Sequence, residues 1–236
     1  MNNILICGGS GTIGSAYIEK YKDHYDNVII VDKKIRRYNK KRKGLIIIEK
    51  DLTVRKDVHY VFEYLNEREI NISHLLFTVG VNNMNNFFTE TLDDWELTMN
   101  VNVKSFFYCM KILYPLFTRR SSVLAISSQN GIVANYNRID YGPSKSALLQ
   151  LIKNLTYDIS VNKNIDIKIN ALSPGVILSN QNERLLNSKA FLINRKNHIE
   201  QYVKIEELIK TIHFFLDNDI RSFRGANIVM DNGFSL

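Results

Sequence analysis

Seven short runs rich in Ile, Val and Leu recur along this chain, with longer helical patterns between them, and this alternation is the strongest constraint on its fold. The runs lie at 4–7, 28–31, 45–49, 74–79, 122–127, 166–172 and 227–230, and they are apolar at both odd and even positions. A strand with one wet face alternates polar and apolar side chains, so strands apolar on both sides belong to a parallel sheet covered above and below. Helical patterns at 12–22, 54–69, 94–117, 142–162 and 205–217 supply the covers. Parallel neighbours need long right-handed crossovers, so the pattern predicts an α/β protein built as an open, doubly wound parallel sheet of about seven strands. No linker or repeat divides the 236 residues, and one domain over 1–236 is expected.

Composition enters mainly to exclude. At 45% hydrophobic and 23% charged residues the chain can bury a core, which rules out a disordered protein. The net charge of +7 suggests nucleic acid until its location is examined: eight cations and no acid fall between Lys33 and Lys43, and without them the balance is −1. The protein is thus a near-neutral globule with one basic loop, read as a solvated surface with no nucleic-acid partner. Cys7 and Cys109 sit in apolar stretches and are expected as buried reduced thiols. His24, His59, His74, His198 and His213 show no paired spacing, so no metal site is expected. No run of 18 apolar residues occurs and the first residues have no basic leader, so a soluble cytoplasmic protein without membrane contact is expected.

Two motifs carry chemistry. Cys7-Gly8-Gly9-Ser10-Gly11-Thr12-Ile13-Gly14 follows the first strand and opens a helix, where glycines let the backbone approach a pyrophosphate and the helix N-terminus meets its charge. Asp32 ends the second strand, 18 residues beyond Gly14, where a carboxylate can accept both hydroxyls of an adenosine ribose. Together they predict a Rossmann-like dinucleotide site. In the second motif, Tyr141 and Lys145 lie one helical turn apart, placing a phenol and an ammonium on one face. A nearby cation favours phenolate, so the pair can act as an acid–base group.

Further residues extend the pattern. Ser128 stands thirteen residues before Tyr141, Asn102 lies in Asn100-Val101-Asn102-Val103-Lys104, and Asp51-Leu52 follows the third strand. Pro174-Gly175-Val176-Ile177 ends the sixth strand, and Arg224-Gly225-Ala226 precedes the last. This ordered set resembles the short-chain dehydrogenase/reductase family over nearly the whole chain. The resemblance implies Asn102, Ser128, Tyr141 and Lys145 as catalytic residues. It also implies cofactor contacts at Gly8, Ser10, Gly11, Thr12, Ile13, Gly14, Asp32, Asp51, Leu52, Gly80, Tyr141, Lys145, Pro174, Gly175, Ile177 and Ser179. Two departures stand out: Thr12 replaces a glycine of the family's turn, and Phe77-Thr78-Val79-Gly80 replaces its Asn-Asn-Ala-Gly. Thr78 is expected to supply part of the missing hydrogen bonding and Gly80 the close approach.

The implied reaction is hydride transfer between a nicotinamide and a secondary alcohol or ketone. Tyr141 moves the hydroxyl proton, Ser128 orients the reacting oxygen, and Lys145 lowers the tyrosine pKa and binds the nicotinamide ribose. Asn102 holds a water that continues the proton path. Asp32 argues for NAD, with tolerance of NADP from Lys33, Lys34, Arg36 and Arg37. Amides and guanidinium groups in 129–140 and in a substrate loop at about 178–203 suit a small polar or anionic substrate. The alternatives are a 3-oxoacyl reductase, a non-catalytic dinucleotide-binding regulatory protein, or an RNA-binding protein using the basic loop. Helices 94–117 and 142–162 carry more apolar surface than one sheet face can cover, which predicts a homotetramer or homodimer.

Overall fold

Strand β1 (Asn3–Cys7) is buried along its whole length, because both of its faces meet helices. In the computed structural model, which describes residues 1–35, 38, 43–161, 165–178 and 202–236, β1 is an interior strand of a seven-stranded sheet, next to the central β4. The other strands are β2 (Asn27–Asp32), β3 (Leu45–Glu49), β4 (Ile72–Phe77), β5 (Phe117–Ile126), β6 (Asp166–Pro174) and β7 (Asn227–Met230). All pairings are parallel, in the order β3-β2-β1-β4-β5-β6-β7. Alternate residues of β1 serve opposite layers. Leu5 and Cys7 pack with Val58 and Val61 of α2 (Arg55–Asn66) and with Phe106, Cys109 and Leu148. Ile4 and Ile6 pack with Tyr17 and Ile18 of α1 (Thr12–Tyr21) and with Leu208 and Ile212 of α6 (Ile205–Asp217).

The predicted helix 94–117 is more segmented than its sequence suggests. It begins as α3 (Leu92–Met99), where the Thr91 hydroxyl accepts the Asp94 N–H at 3.1 Å and caps the first turn. A π-turn follows at Asn100–Lys104, and α4 (Ser105–Leu113) continues the path. Pro115 then enters a short 3₁₀ turn, and the chain is already extended at Phe117. The expected start of β5 at 122 was late because Thr118, Arg119 and Arg120 interrupt the apolar pattern at the solvated end of the strand. β4 stops at Phe77 rather than 79, since residues 78–80 leave the sheet to line a cleft. Helix α5 (Tyr141–Ser160) begins one residue earlier than expected, capped by the Asp140 carboxylate accepting the Tyr141 N–H at 2.6 Å.

Both cysteines are buried free thiols, as expected from their apolar settings. They face each other across the β1–α4 layer, where a mutual hydrogen bond and burial push the Cys7 thiol well up. Among the described residues no helix is long and apolar enough to cross a membrane.

A polar cluster joins α1, α6 and β4 on the opposite layer. Tyr17 and Tyr25 share a hydroxyl–hydroxyl bond of 2.5 Å, and Tyr21 stacks on His213 at 4.0 Å. His74 of β4 meets Tyr25 edge-on, and its Nε2 lies 2.7 Å from the Asn2 Oδ1, so the neutral ring donates there. Burial lowers His74 from an ordinary 6.5 to about 4. In the unfolded chain this ring protonates near pH 6.5, whereas the folded protein resists protonation until about pH 4. Its contribution to stability is therefore complete above pH 6.5 and is lost as pH falls through 4. Urea unfolding across that window should show a loss of about 1–3 kcal/mol that a His74→Gln variant lacks. An unchanged pH dependence in the variant would assign the acid sensitivity elsewhere.

Candidate active site

The cleft opens at the carboxyl ends of β1 and β4. These strands are adjacent, yet the chain leaves β1 for α1 on one face of the sheet and leaves β4 for α3 and α4 on the other. Gly8 turns the chain at φ +82°, and a Cβ there would lie 2.7 Å from the Thr78 Oγ1. Gly14 permits the other close approach, since its Cβ would stand 2.6 Å from the Gly8 carbonyl oxygen. Gly11 is the N-cap of α1 and provides no capping side chain, and the first turn carries no acid. The first amides of α1 therefore remain available to an anion. Ser10 and Gly11 line the cleft, whose volume is about 410 Å³, while Thr12 and Ile13 form the first turn of the helix behind them.

Thr78 takes over the strand-tying role expected of it. Its hydroxyl lies 2.9 Å from the carbonyls of both Cys7 and Gly8, and its N–H donates to Cys7 O at 2.9 Å. Asp32 faces the cleft from the end of β2 and is held by the Ser10 N–H, which donates to Oδ2 at 2.9 Å. Lys33, Lys34 and Lys50 share the same wall. Asp51 and Leu52 form the next part of it, and Asp51 Oδ1 accepts from the N–H and the hydroxyl of Thr53. Tyr38 reaches back from the basic segment to donate to Gly9 O at 2.5 Å, a tether no motif announced.

At the inner end of the cleft, Gly80 leaves room for two side chains from different helices: its Cβ would lie 3.3 Å from Lys145 Nζ and 3.4 Å from Asn102 Oδ1. Asn102, fully buried in the π-turn, accepts from Val81 N at 2.8 Å and donates to Val81 O and to Ser144 Oγ at 3.0 and 2.9 Å. Its amide thus clamps the strand exit to α5. Both amide hydrogens are engaged, while Oδ1 keeps a second lone pair for a further donor.

Ser128 follows β5 and Tyr141 opens α5. The Ser128 Oγ accepts from the N–H and the side-chain amide of Asn130 at 3.2 and 3.3 Å, which leaves its own hydrogen for the Tyr141 oxygen. Burial raises the Tyr141 pKa, while the Ser128 hydrogen bond and the Arg138 guanidinium act in the opposite sense. The Lys145 Nζ donates to Ile126 O at 3.0 Å and sits 5.6 Å from the Tyr141 ring centre, and Arg138 joins it as a second cation near the phenol. Lys145 is itself only 3% exposed, and burial lowers it to about 8.

Pro174 ends β6, and Gly175 after it donates from its N to Met230 O at 2.8 Å. Ile177 bridges to Val203 in parallel fashion. Ser179, Arg36 and Arg37 lie outside the described residues, as does the stretch 179–201 of the expected substrate loop. Gln129, named in the sequence only as part of the polar loop 129–140, is 1% exposed with neither side-chain polar atom hydrogen-bonded, and its Oε1 lies 3.0 Å from where a Cβ on Gly175 would stand. A polar residue immediately after Ser128 was the available signal. Among the described residues no group of His, Cys, Asp and Glu could hold a metal ion.

Comparison with known proteins agrees with this geometry. Residues 12–235 match a family model described as enoyl-(acyl carrier protein) reductase. The chain belongs to the short-chain dehydrogenase/reductase family. It is 29% identical over 156 residues to dehydrogenase/reductase SDR family member 4 of Sus scrofa, a match covering 63% of this chain and 53% of that protein. The chain thus spans about half the length of that relative. It is 24% identical over 235 residues to a 3-oxoacyl-[acyl-carrier-protein] reductase of Rickettsia typhi, covering 97% of this chain and 95% of the other. Among solved structures, 4-hydroxyisoleucine dehydrogenase complexed with NADH superposes with a TM-score of 0.90 at 23% identity, covering 100% and 99% of the two chains.

Proposed function

We propose that the protein is a nicotinamide-dependent oxidoreductase interconverting a secondary alcohol and a ketone on a small polar substrate. The observation that carries this reading is the placing of Ser128 and Arg138 on Tyr141, beside a buried Lys145, at the inner end of a cleft built on Gly8, Gly14 and Asp32. The residues fit a dinucleotide: backbone amides and Lys33 or Lys34 would meet the phosphates, Asp32 the adenosine ribose, and Asp51 and Leu52 the adenine side. A bound nicotinamide would accept or donate the hydride. The chain's own residues handle the proton. Tyr141 as the phenolate receives it from the alcohol oxygen, or as the phenol returns it to the ketone, while Ser128 donates a hydrogen bond that orients that oxygen. Lys145 keeps positive charge near the ribose end at neutral pH, and Asn102 holds the cleft wall in register through Val81.

A 3-oxoacyl reductase is the second reading, favoured by the near full-length likeness to the Rickettsia typhi protein. Two-fold assembly into a homotetramer or homodimer is supported by apolar surface that the single chain leaves uncovered on α4 and α5, with Phe107 42% and Tyr157 73% exposed. A reducing compartment such as the cytoplasm is supported by the paired free thiols.

Tyr141→Phe should bind NADH as the wild type does while losing about 10²- to 10⁴-fold in turnover on a substrate found by panel screening. Retained turnover would overturn the proton path. Wild type should use NAD with a higher kcat/KM than NADP, and Asp32→Ala should move the ratio toward NADP. No shift in the variant would give the choice to the basic segment. Light scattering at micromolar concentration should give a mass of two or four chains, and a monomer would refute the assembly.

A further inference from the structure

A second cavity, about 490 Å³, is walled by the segment that joins Ser128 to Tyr141. Its walls come from residues 130–139, from the first turn of α5, and from Asn86 and Phe87 after β4. Phe87, Ile132, Val133 and Tyr136 make much of it apolar, and Arg138 is the one charged residue in its lining. Arg138 Nη1 donates to Asn137 O at 2.6 Å, but its Nε is buried with no hydrogen-bond partner. The acid nearest in sequence, Asp140, acts on Arg138 through space only, because its oxygens accept from Tyr141 N and from Thr98 Oγ1, so the Nε–H still has no acceptor. Asn130 Oδ1 is likewise buried and unpartnered.

Such an arrangement costs free energy in the absence of a ligand. A half-buried guanidinium with an idle, buried Nε–H is unfavourable unless an acceptor meets it, and its planar fork matches a carboxylate better than a single oxygen. Asn130 links this cavity to the reacting centre, since its amide and its backbone N–H both donate to Ser128 Oγ. The backbone bond can hold Ser128 while the side-chain amide turns toward the cavity.

We propose that this cavity binds the carboxylate of the substrate, held by Arg138 and Asn130, and that the substrate is a hydroxy acid with an apolar body, or the corresponding oxo acid. This rests on the oxidoreductase reading given above. The carbinol C–H leaves as hydride to the nicotinamide, the O–H proton passes to Tyr141, and the carboxylate is unchanged. Arg138 therefore has two effects that separate in measurement: it acts on the Tyr141 phenol through space, and it recognises an anion by contact.

The test uses the NADH complex and two unreactive probes of one shape, 3-phenylpropanoate and 3-phenylpropanamide, titrated calorimetrically. The acid should bind about tenfold more tightly than the amide, as one charge-assisted contact provides. Arg138→Gln should bring the two probes to near equality, and Arg138→Lys should restore part of the gap. Equal affinities in the wild type, no binding of the acid, or a preference surviving in Arg138→Gln would overturn the proposal. NADH fluorescence in the same samples tests the dinucleotide reading separately. If NADH fails to bind, the hydride-transfer reading falls, and the same probe pair on the free protein then decides whether the pocket selects an acid.

Discussion

The divergence of the chain to opposite faces of the sheet after β1 and β4 is the constraint from which the site follows. Two paired parallel strands end side by side, and their onward connections must separate because one feeds the α1–α6 layer and the other the α2–α4–α5 layer. Nothing in the sheet can fill the gap so formed, and the backbone groups at its edge point into it. The close approach of Gly8 to Thr78 determines how narrow the gap is at its base. A side chain at residue 8 would push β4 away from β1 at the point where the Thr78 hydroxyl now bridges them.

The inner end of the cleft is built from buried polar groups whose partners differ in kind. Asn102, Ser144, Thr98 and Asp140 are fully buried, and their side chains bond to one another or to backbone, so they act as a rigid frame. Lys145 and Arg138 are cations held mainly by carbonyl oxygens, with no carboxylate bonded to either among the described residues. A frame that is satisfied internally can hold cations that are not, and the excess positive charge is then available to whatever enters. This division explains why Tyr141 feels opposing influences: burial favours the neutral phenol, and the unspent charge of Arg138 favours its anion.

Much of the fold was legible because period-two burial on both faces leaves a clear mark, as in Ile4 to Cys7 and Val28 to Val31. The turn residues were legible for a steric reason, since Gly8 and Gly14 stand where no Cβ fits. What the sequence concealed were relations set by tertiary packing. The π-turn at Asn100–Lys104 has no local signal, because Asn, Val and Lys also occur in regular helices. The i, i+4 spacing of Tyr141 and Lys145 places them on one face of α5 but does not specify where the ammonium points, and it turns to Ile126 O. Arg138 looked like one more polar loop residue until its burial and its nearness to Tyr141 appeared. The solvated end of β5 was concealed by its own charges, Arg119 and Arg120.

The two thiols behind the glycine turn give this molecule a reporter that needs no engineering. Cys7 and Cys109 come from opposite sides of one packed layer, and both are sealed from solvent. A thiol reagent can reach either one only when β1 and α4 part company, and burial keeps Cys7 in the unreactive protonated form until then. The rate of labelling therefore measures how often the centre of the sheet breathes, and any ligand that fastens the cleft above Cys7 will register as a slower clock.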